Sequence, residues 1–248
     1  MKYIFAHILS VLILLSSAAA GFCLPGEWQE LNLGPGESVW ADSSLKETLR
    51  GEQVIYGPEA LFDGDEATPW VEGAQASGAG EGLTILTQRK VTGLSIVNGF
   101  ARNERLFLRN NRLKSFTVSF IMGLTAPGFV SENDYHLYFV REKEYPAVFE
   151  IEDTMEMQQI PFYETEELQY QLYEETLALF AQDYPDLYGM ILDDLGISSS
   201  EETGYFDQKL IMEIYGFFAL RITIRDVYSG SHYDDTCVSE IELTLEEF

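Results

Sequence analysis

The segment Phe116–Ile121, with the sequence FTVSFI, alternates apolar and polar side chains and decides the fold class. In a strand, such alternation places the apolar side chains on one face, which can then be buried. Four further segments have strand composition: Leu83–Leu86 (LTIL), Val91–Val97 (VTGLSIV), Phe217–Val227 (FFALRITIRDV) and Cys237–Leu245 (CVSEIELTL). Because turn residues rather than helices separate the early strands, the sequence predicts an all-β antiparallel sandwich.

The middle of the chain has a different composition. Residues 144–208 contain 17 Asp and Glu residues and no Lys or Arg. Side chains at helical spacing in this region are Leu168, Leu172, Thr176, Leu179 and Phe180. Pro185 predicts the end of that helix. We therefore expect an acidic α-helical insertion at about residues 163–210 that projects from the β domain. Its acids form either a solvated outer face or, through residues 163–208, a surface for a protein partner.

The N-terminal residues 1–20 have the pattern of a secretory signal peptide. Lys2 precedes the apolar stretch Ile8–Leu15, and Ala18–Ala20 offers small residues for cleavage. The apolar stretch is too short to span a bilayer, so no transmembrane span is expected in the mature chain. Residues 21–38 are rich in Gly and Pro and are predicted to be a linker to a domain over residues 39–248.

Cys23, shortly after the apolar stretch, leaves two alternatives open. It is either a lipid attachment site or, in a simply secreted protein, a partner for a disulfide with Cys237. Phe22 stands directly before the thiol, where lipoprotein signals have a small residue, which favours secretion without a lipid. Both alternatives place the protein outside the cytoplasm, either secreted or in the periplasm or cell envelope.

Composition and motifs exclude several classes of function. The formal net charge of −26 repels phosphate backbones, so nucleic acid is not expected as a partner. The 46% of hydrophobic residues is too high for a disordered acidic chain. Beyond the signal peptide only His136 and His232 remain, and HExxH, GxSxG and Walker motifs are absent from the sequence. The sequence therefore predicts a protein that is not an enzyme.

The segment Leu61–Trp70 (LFDGDEATPW) is the most specific local motif. Asp63, Asp65 and Thr68 gather hard oxygen ligands in a tight turn, which suits calcium better than zinc. The alternative is an Asp-Gly turn whose carboxylates only cap backbone amides. The motif alone does not decide between the two.

Several short blocks of the chain together resemble a known family. They are Ala41–Leu45 (ADSSL), Tyr56–Pro58 (YGP), Leu61–Trp70, Val71–Gly73 (VEG), Gly78–Glu81 (GAGE), Ile96–Phe100 (IVNGF), Asn110–Lys114 (NNRLK), Gln158–Ile160 (QQI) and Asp226–Ile241 (DVYSGSHYDDTCVSEI). In this order they resemble the NADase-type glycan-binding domain, the translocation domain of bacterial NAD-glycohydrolase toxins. That module is similar to the coagulation-factor type C and galactose-binding-like jelly rolls.

The resemblance implies a jelly-roll β-sandwich in which residues 126–152 and 163–210 are inserted. It also implies a structural calcium ion that ties the aspartate loop to the last strand. The ligands would be Asp63, Asp65, Thr68 and Glu240. Since the matching blocks are those of the translocation domain and no catalytic toxin domain follows them, NAD cleavage is not expected.

Carbohydrate sites combine an aromatic face with polar groups that bond hydroxyls. The candidate glycan-binding residues are Trp70, Asn98, Asn110, Arg112, Lys114, Tyr233, Asp234 and Asp235. For Trp70 a core position is the favoured interpretation, because it directly precedes the strand-like Val71, and the asparagines suit turns at least as well as ligand contacts. Residues 102–114 hold five of the 15 basic side chains and face either an anionic glycan or the acidic insertion. Docking of the insertion is the favoured interpretation, because the acids are tethered nearby.

The predicted function is therefore an exported, non-catalytic carbohydrate-binding module that recognises a glycan or a cell-envelope surface. The alternative is an extracytoplasmic protein-interaction or scaffold domain that uses the acidic helical insertion.

Overall fold

The structure is a computed structural model that describes residues 27–130, 135–198 and 203–248. The predicted signal peptide, residues 1–20, and Cys23 with its proposed lipid or disulfide lie outside the described residues. The strands are β1 (Gln29–Leu33), β2 (Val39–Ala41), β3 (Lys46–Leu49), β4 (Glu52–Ile55), β5 (Trp70–Val71), β6 (Gly82–Leu86), β7 (Lys90–Asn98), β8 (Asn111–Leu124), β9 (His136–Glu144), β10 (Phe149–Glu150), β11 (Gln158–Pro161), β12 (Gly216–Tyr228) and β13 (Thr236–Glu246). The helices are α1 (Glu104–Arg109), α2 (Thr165–Asp183), α3 (Pro185–Leu195) and α4 (Tyr205–Tyr215), with a 3₁₀ turn at Pro58–Phe62.

The strands form two antiparallel layers joined at one corner. The larger layer has the order β2-β6-β12-β8-β9-β1, and the smaller has the order β11-β7-β13, with β5 paired to β13. A short parallel pairing of Thr236 and Cys237 with Asn111 and Arg112 connects β13 to β8. The predicted jelly-roll sandwich is confirmed, because the C-terminal strands lie beside strands of the first half in both layers.

Strands β8 and β12 form the centre of the larger layer. Their pairing runs from Gly216 opposite Leu124 to Tyr228 opposite Arg112. The alternation in FTVSFI holds, since Phe116, Val118 and Phe120 are buried in the main core cluster. Strand β8 is nevertheless buried along nearly its whole length on both faces, which the alternation alone does not predict.

Helices α2, α3 and α4, here called the helical layer, complete the sandwich. Their buried residues belong to the same core cluster as the strands. Phe180 of α2 is fully buried, and its ring centroid lies 6.1 Å from that of Phe139 on β9 and 5.9 Å from that of Trp28. The Gln169 side chain bonds both the N–H and the C=O of Val91 at the start of β7, at 2.9 and 2.8 Å. The expectation that the insertion projects from the β domain is therefore wrong: its apolar face covers part of the inner face of the larger layer.

The helix boundaries follow their sequence signals. Helix α2 ends at Asp183, two residues before Pro185, as predicted. Helix α3 begins at that proline and ends at Leu195, and Gly196 directly after it has the left-handed conformation common at this position. Helix α4 continues beyond the predicted limit of the insertion, residue 210, and leads directly into β12.

The predicted linker, residues 21–38, and the first insertion, residues 126–152, both contribute strands to the sheet. Residues 29–33 of the predicted linker form β1, which pairs with β9 from Gln29↔Val140 to Leu33↔His136. Strand β9, from the first of the two insertions, pairs in turn with β8. Among the helices of the described residues, none has the length and apolar composition needed to cross a membrane.

Candidate functional site

The first half of the domain and its last strand meet at a seam. Strand β5 pairs with β13 through Val71 opposite Cys237 and Trp70 opposite Val238. The Asp63 carboxylate, just after the 3₁₀ turn, lies against the Glu240 carboxylate of β13. The closure expected between the aspartate loop and the final strand is therefore present.

The aspartate loop, residues 63–68, is folded by its own polar groups. Asp63 accepts hydrogen bonds from the Asp65 N–H at 2.8 Å and from the Thr68 hydroxyl at 2.7 Å. The Asp65 carboxylate accepts from the Ala67 N–H at 3.0 Å. These contacts lower the pKa of Asp63, with the Thr68 hydroxyl as the largest cause. Asp65 and Thr68 thus shape the loop that carries Asp63.

The seam offers two carboxylates with oxygen chemistry that fits a hard cation. Glu240 is buried, and its Oε1 has no hydrogen-bond partner among the described residues. Burial, followed by the nearby Asp63 charge, raises the pKa of Glu240. In the described ranges, no group of three or more His, Cys, Asp or Glu side chains is arranged to hold a metal. Of the three predicted carboxylate ligands, the seam brings Asp63 and Glu240 together, whereas the Asp65 carboxylate bonds the Ala67 N–H.

Two of the candidate sugar-binding residues are core residues. Trp70 is only 2% exposed, and its Nε1–H donates to the Ser43 carbonyl at 3.1 Å. Asn98 is fully buried, and its amide bonds both the N–H and the C=O of Leu113, at 2.9 and 2.7 Å. The expectation that they contact a sugar is corrected, because neither presents a free face or a free polar atom to solvent.

Arg112 is also a structural residue. Its Nε and Nη2 donate to the two Asp153 carboxylate oxygens at 2.9 and 2.7 Å, and its Nη1 donates to the carbonyls of Asn110 and Ser229. Its side chain is only 6% exposed. Asn110 lies directly after the end of α1 at Arg109, and its side chain donates to the Leu106 carbonyl within that helix. Arg112 is therefore corrected from a ligand contact to a support for the loop after β12, and Asn110 is corrected to a residue that caps α1.

Within the part of the acidic insertion that the structure describes, no acid pairs with a basic residue of 102–114. Lys114 pairs with Asp226 at 2.5 Å in an exposed ion pair, which raises the pKa of Lys114 and lowers that of Asp226. The helical layer is instead bonded by bases of β7 and β9: Lys90 to Glu166, and Arg141 and Lys143 to Glu175. The reason is the distance between the basic run and the helical layer. The basic run lies at the start of the 14-residue strand β8, whereas α4 leads into β12 opposite the end of β8.

The exposed candidates come together in the loop between β12 and β13. Tyr233 is 40% exposed, and its hydroxyl accepts from Arg109 Nη2 at 3.2 Å. The Arg109 guanidinium carbon lies 5.0 Å from the centre of the Tyr233 ring, and the His232 ring meets that ring edge-on at 4.5 Å. Asp234 is exposed beside them. We call Arg109, His232, Tyr233 and Asp234 the Tyr233 site.

Backbone contacts hold the Tyr233 site in place. The N–H groups of His232 and Tyr233 both donate to the Arg109 carbonyl, at 3.1 and 2.8 Å. The Asn111 amide bonds the Asp234 carbonyl and the Gly230 N–H. Gly230 lies so close to α1 that an added Cβ would stand 2.5 Å from the Arg109 carbonyl oxygen. The exposed ring is therefore carried by a loop with a defined position.

Asp235 lies behind this surface rather than on it. It is partly buried, and burial, with further contributions from Glu47 and Asp234, raises its pKa. Its carbonyl accepts from the Asn111 N–H. Next to it, the buried Glu72 accepts from the Thr236 N–H, and its pKa is raised chiefly by burial. The cysteine that follows Thr236, Cys237, is buried, which raises its pKa, and it has no disulfide partner among residues 27–130, 135–198 and 203–248.

Of the Tyr233 site, His232 was not a candidate for sugar binding, and Arg109 was one only as part of the basic run, for which an anionic glycan was one of two possible partners. His232 lies in the exposed turn between β12 and β13. Asn103 is the N-cap of the short helix that Arg109 ends, and its side chain accepts from the Leu106 N–H. This cap signal predicts the helix but not the ring that Arg109 contacts.

Comparison with family models identifies the protein family of this chain. A family model described as the NAD glycohydrolase translocation F5/8 type C domain matches residues 35–178, more than half of the chain. The chain belongs to this family. The resemblance drawn from the short sequence blocks is confirmed. The match covers the aspartate loop, α1 and β8, and ends within α2, so the Tyr233 loop lies beyond it.

Solved structures similar to this translocation-type F5/8 type C domain share little sequence with it. The mycobacterial arabinofuranosyltransferase AftD matches with 12% identity and a TM-score of 0.40, covering 88% of this chain and 11% of the transferase. An F5/8 type C domain from Bacteroides fragilis matches with 13% identity and a TM-score of 0.37, covering 90% of this chain and all of that domain. Comparison with curated proteins produced no significant match. The family is that of the translocation domain and not that of the catalytic NADase domain.

Proposed function

We propose that this chain is an exported, non-catalytic module that recognises glycans through the Tyr233 site. The observation that carries the proposal is the exposed Tyr233 ring held by the Arg109 guanidinium. A ring of this kind packs on the C–H face of a sugar, while the neighbouring polar groups bond its hydroxyls. Arg109 supplies donors, Asp234 supplies acceptors, and His232 supplies one of each.

The Tyr233 site is open rather than a deep cleft, so the contact with a single sugar would be weak. Several copies displayed together would strengthen attachment to a cell-envelope or host surface through effective concentration. The predicted signal peptide supports a secreted or cell-envelope location. The absence of nucleophile and metal-protease motifs from the sequence supports a role in recognition without catalysis.

The proposal predicts that Tyr233→Ala loses glycan binding without losing stability. On a glycan array, the chain from residue 21 onward should bind a defined set of glycans, and Tyr233→Ala should reduce that signal about tenfold or more. Because Tyr233 is exposed, the melting temperature of the Tyr233→Ala variant should stay within about 2 °C of wild type. Tyr163→Ala, which removes another exposed tyrosine, is the matched control and should bind normally.

We also propose that a calcium ion stabilises the seam, held by Asp63 and Glu240. The support is the unpartnered Glu240 oxygen beside a second carboxylate, since a cation there would offset the repulsion between them. The ion would tie the aspartate loop to β13. It would therefore act on stability rather than on sugar contact.

Removing calcium should lower the melting temperature of the wild type by about 5–10 °C, if the ion is bound at about a hundredfold excess over Kd. Glu240→Gln should make the melting temperature insensitive to chelator and to millimolar calcium. Asp226→Asn, which removes a carboxylate away from the seam, should keep the wild-type response. Identical melting curves for the wild type in chelator and in calcium would contradict the site.

A further inference from the structure

Helix α4 carries an apolar stripe on its outer face. Phe206 is 84% exposed, Leu210 38% and Ile214 53%. These residues are spaced four apart, so they line one side of the helix. The opposite side carries Ile211, Met212 and Tyr215, which are buried in the main core. The α4 stripe is therefore not needed to hold the helix on the domain.

A groove runs beside the α4 stripe. It has a volume of about 360 Å³ and is lined by Lys209, Met212 and Glu213 of α4 and, across from them, by residues including Tyr173, Phe218 and Phe248. The rings of Phe218 and Phe248 lie 4.9 Å apart, and those of Tyr173 and Phe248 lie 5.3 Å apart. Aromatic walls with a carboxylate at the rim suit a cationic side chain.

The surroundings of the stripe are strongly acidic. Helices α2, α3 and α4 together carry ten Asp and Glu residues, and Lys209 is their single basic residue. Asp186, Asp193 and Glu213 are exposed. Exposed apolar side chains within a negative field are complementary to an apolar surface flanked by Lys and Arg. They repel surfaces of the same sign, including a second copy of this acidic chain, anionic lipid and nucleic acid.

We propose that the α4 stripe binds a basic amphipathic helix of a partner protein. The apolar side chains of that helix would cover Phe206, Leu210 and Ile214. A Lys or Arg on its flank would enter the groove beside Glu213. This is the helix-in-groove mode of recognition, in which apolar anchors recur at helical spacing. The inference is independent of glycan binding, because it uses a different surface and different residues.

The test uses the chain from residue 21 onward and labelled synthetic peptides of about five helical turns. The first peptide has Leu on one face and Lys on the other, the second has the same Leu face with Glu, and the third is a scrambled Leu/Lys sequence. Fluorescence anisotropy should show saturable binding of the first peptide alone. The double variant Phe206→Ser/Leu210→Ser should weaken it about tenfold or more, Ile214→Ser should weaken it to a lesser extent, and Glu213→Lys should also weaken it.

Controls decide whether the surface is the proposed one. Tyr163→Ser removes an exposed aromatic residue outside the α4 stripe and should bind the first peptide as the wild type does. Equal binding of the scrambled peptide, or unchanged binding by the double variant, would overturn the proposal. Concentration-dependent dimerisation that the double variant abolishes would assign the stripe to a second copy and overturn it too. Binding to phosphatidylcholine vesicles that the double variant abolishes would assign the stripe to lipid and would also overturn the proposal.

Discussion

Arg112→Ala is expected to lower the free energy of unfolding by about 3–5 kcal/mol. The substitution leaves Asp153 without its bidentate partner and removes donors from the carbonyls of Asn110 and Ser229. The Arg112 guanidinium also lies 5.1 Å from the Phe107 ring centre, so packing against α1 is lost. The large effect arises because the charge is buried and fully bonded.

Urea unfolding followed by circular dichroism measures this change, and Lys114→Ala is the matched control. Lys114 is two residues away on the same strand, and its ion pair with Asp226 is exposed. Solvent screens exposed ion pairs so that they contribute little to stability, and the control should therefore unfold near the wild-type midpoint. Equal losses for the two variants would contradict the structural role of Arg112. Since Arg112→Ala is expected to be destabilised, loss of glycan binding by this variant would not show that Arg112 contacts a sugar.

Phe180→Ala is expected to cost about 3–5 kcal/mol of stability. The Phe180 ring joins α2 to β9 through Phe139 and to the N-terminal segment through Trp28. Removing it opens a cavity where the helical layer meets the larger sheet layer. The loss should appear in one cooperative transition, because helices and strands share that core.

Phe206→Ala is the matched control, since it removes the same side chain from an exposed position of the helical layer. It should change stability by less than about 0.5 kcal/mol. Because Trp28 contacts Phe180, fluorescence is read in a Trp28→Phe background, in which only Trp40 and Trp70 of the sheet remain. Circular dichroism of the helices and this fluorescence should report the same midpoint. Two separate transitions, or a loss below about 1 kcal/mol for Phe180→Ala, would show the helical layer to be an independent unit.

Strands β6, β7, β8, β12 and β13 were predictable because each carries a local signal, such as the alternation in FTVSFI. The closure between the aspartate loop and Glu240 was implied by the family resemblance. The linker assignment of β1 was wrong in part, because Pro and Gly lie on both sides of Gln29–Leu33. That strand forms only because β9 provides a partner edge. Such pairing depends on residues about a hundred positions away, which a local pattern does not report.

The position of the helical layer was not predictable from its own residues. Helical spacing identifies the apolar face of α2 but does not say which surface it covers. The position of the helices follows from the length of β8 and β12. The inner face of these two strands extends beyond the smaller sheet layer, and the helical layer covers the remainder. Lys90, Arg141 and Lys143 reach the acids of the helical layer, although none belongs to the basic run 102–114.

For the candidate site, the sequence indicates which residues have suitable chemistry but, Trp70 apart, not which of them are buried. Trp70, Asn98 and Arg112 have suitable chemistry for sugars, yet the pairing of β5 and β7 with β13 and of β8 with β12 buries them. Tyr233 remains exposed because it lies in a loop whose backbone rests on α1. The sequence favoured a core position for Trp70, but it did not distinguish the exposed Tyr233 from the buried Asn98 and Arg112.

The measurement that tests the functional account most directly is a glycan array read in parallel for wild type, Arg109→Ala, Tyr233→Ala and Tyr163→Ala. The account predicts that wild type and Tyr163→Ala bind the same glycans, and that both variants of the Tyr233 site lose them while keeping wild-type melting temperatures. A wild-type chain that binds none of the glycans, or a Tyr233→Ala variant that binds them undiminished, would contradict it.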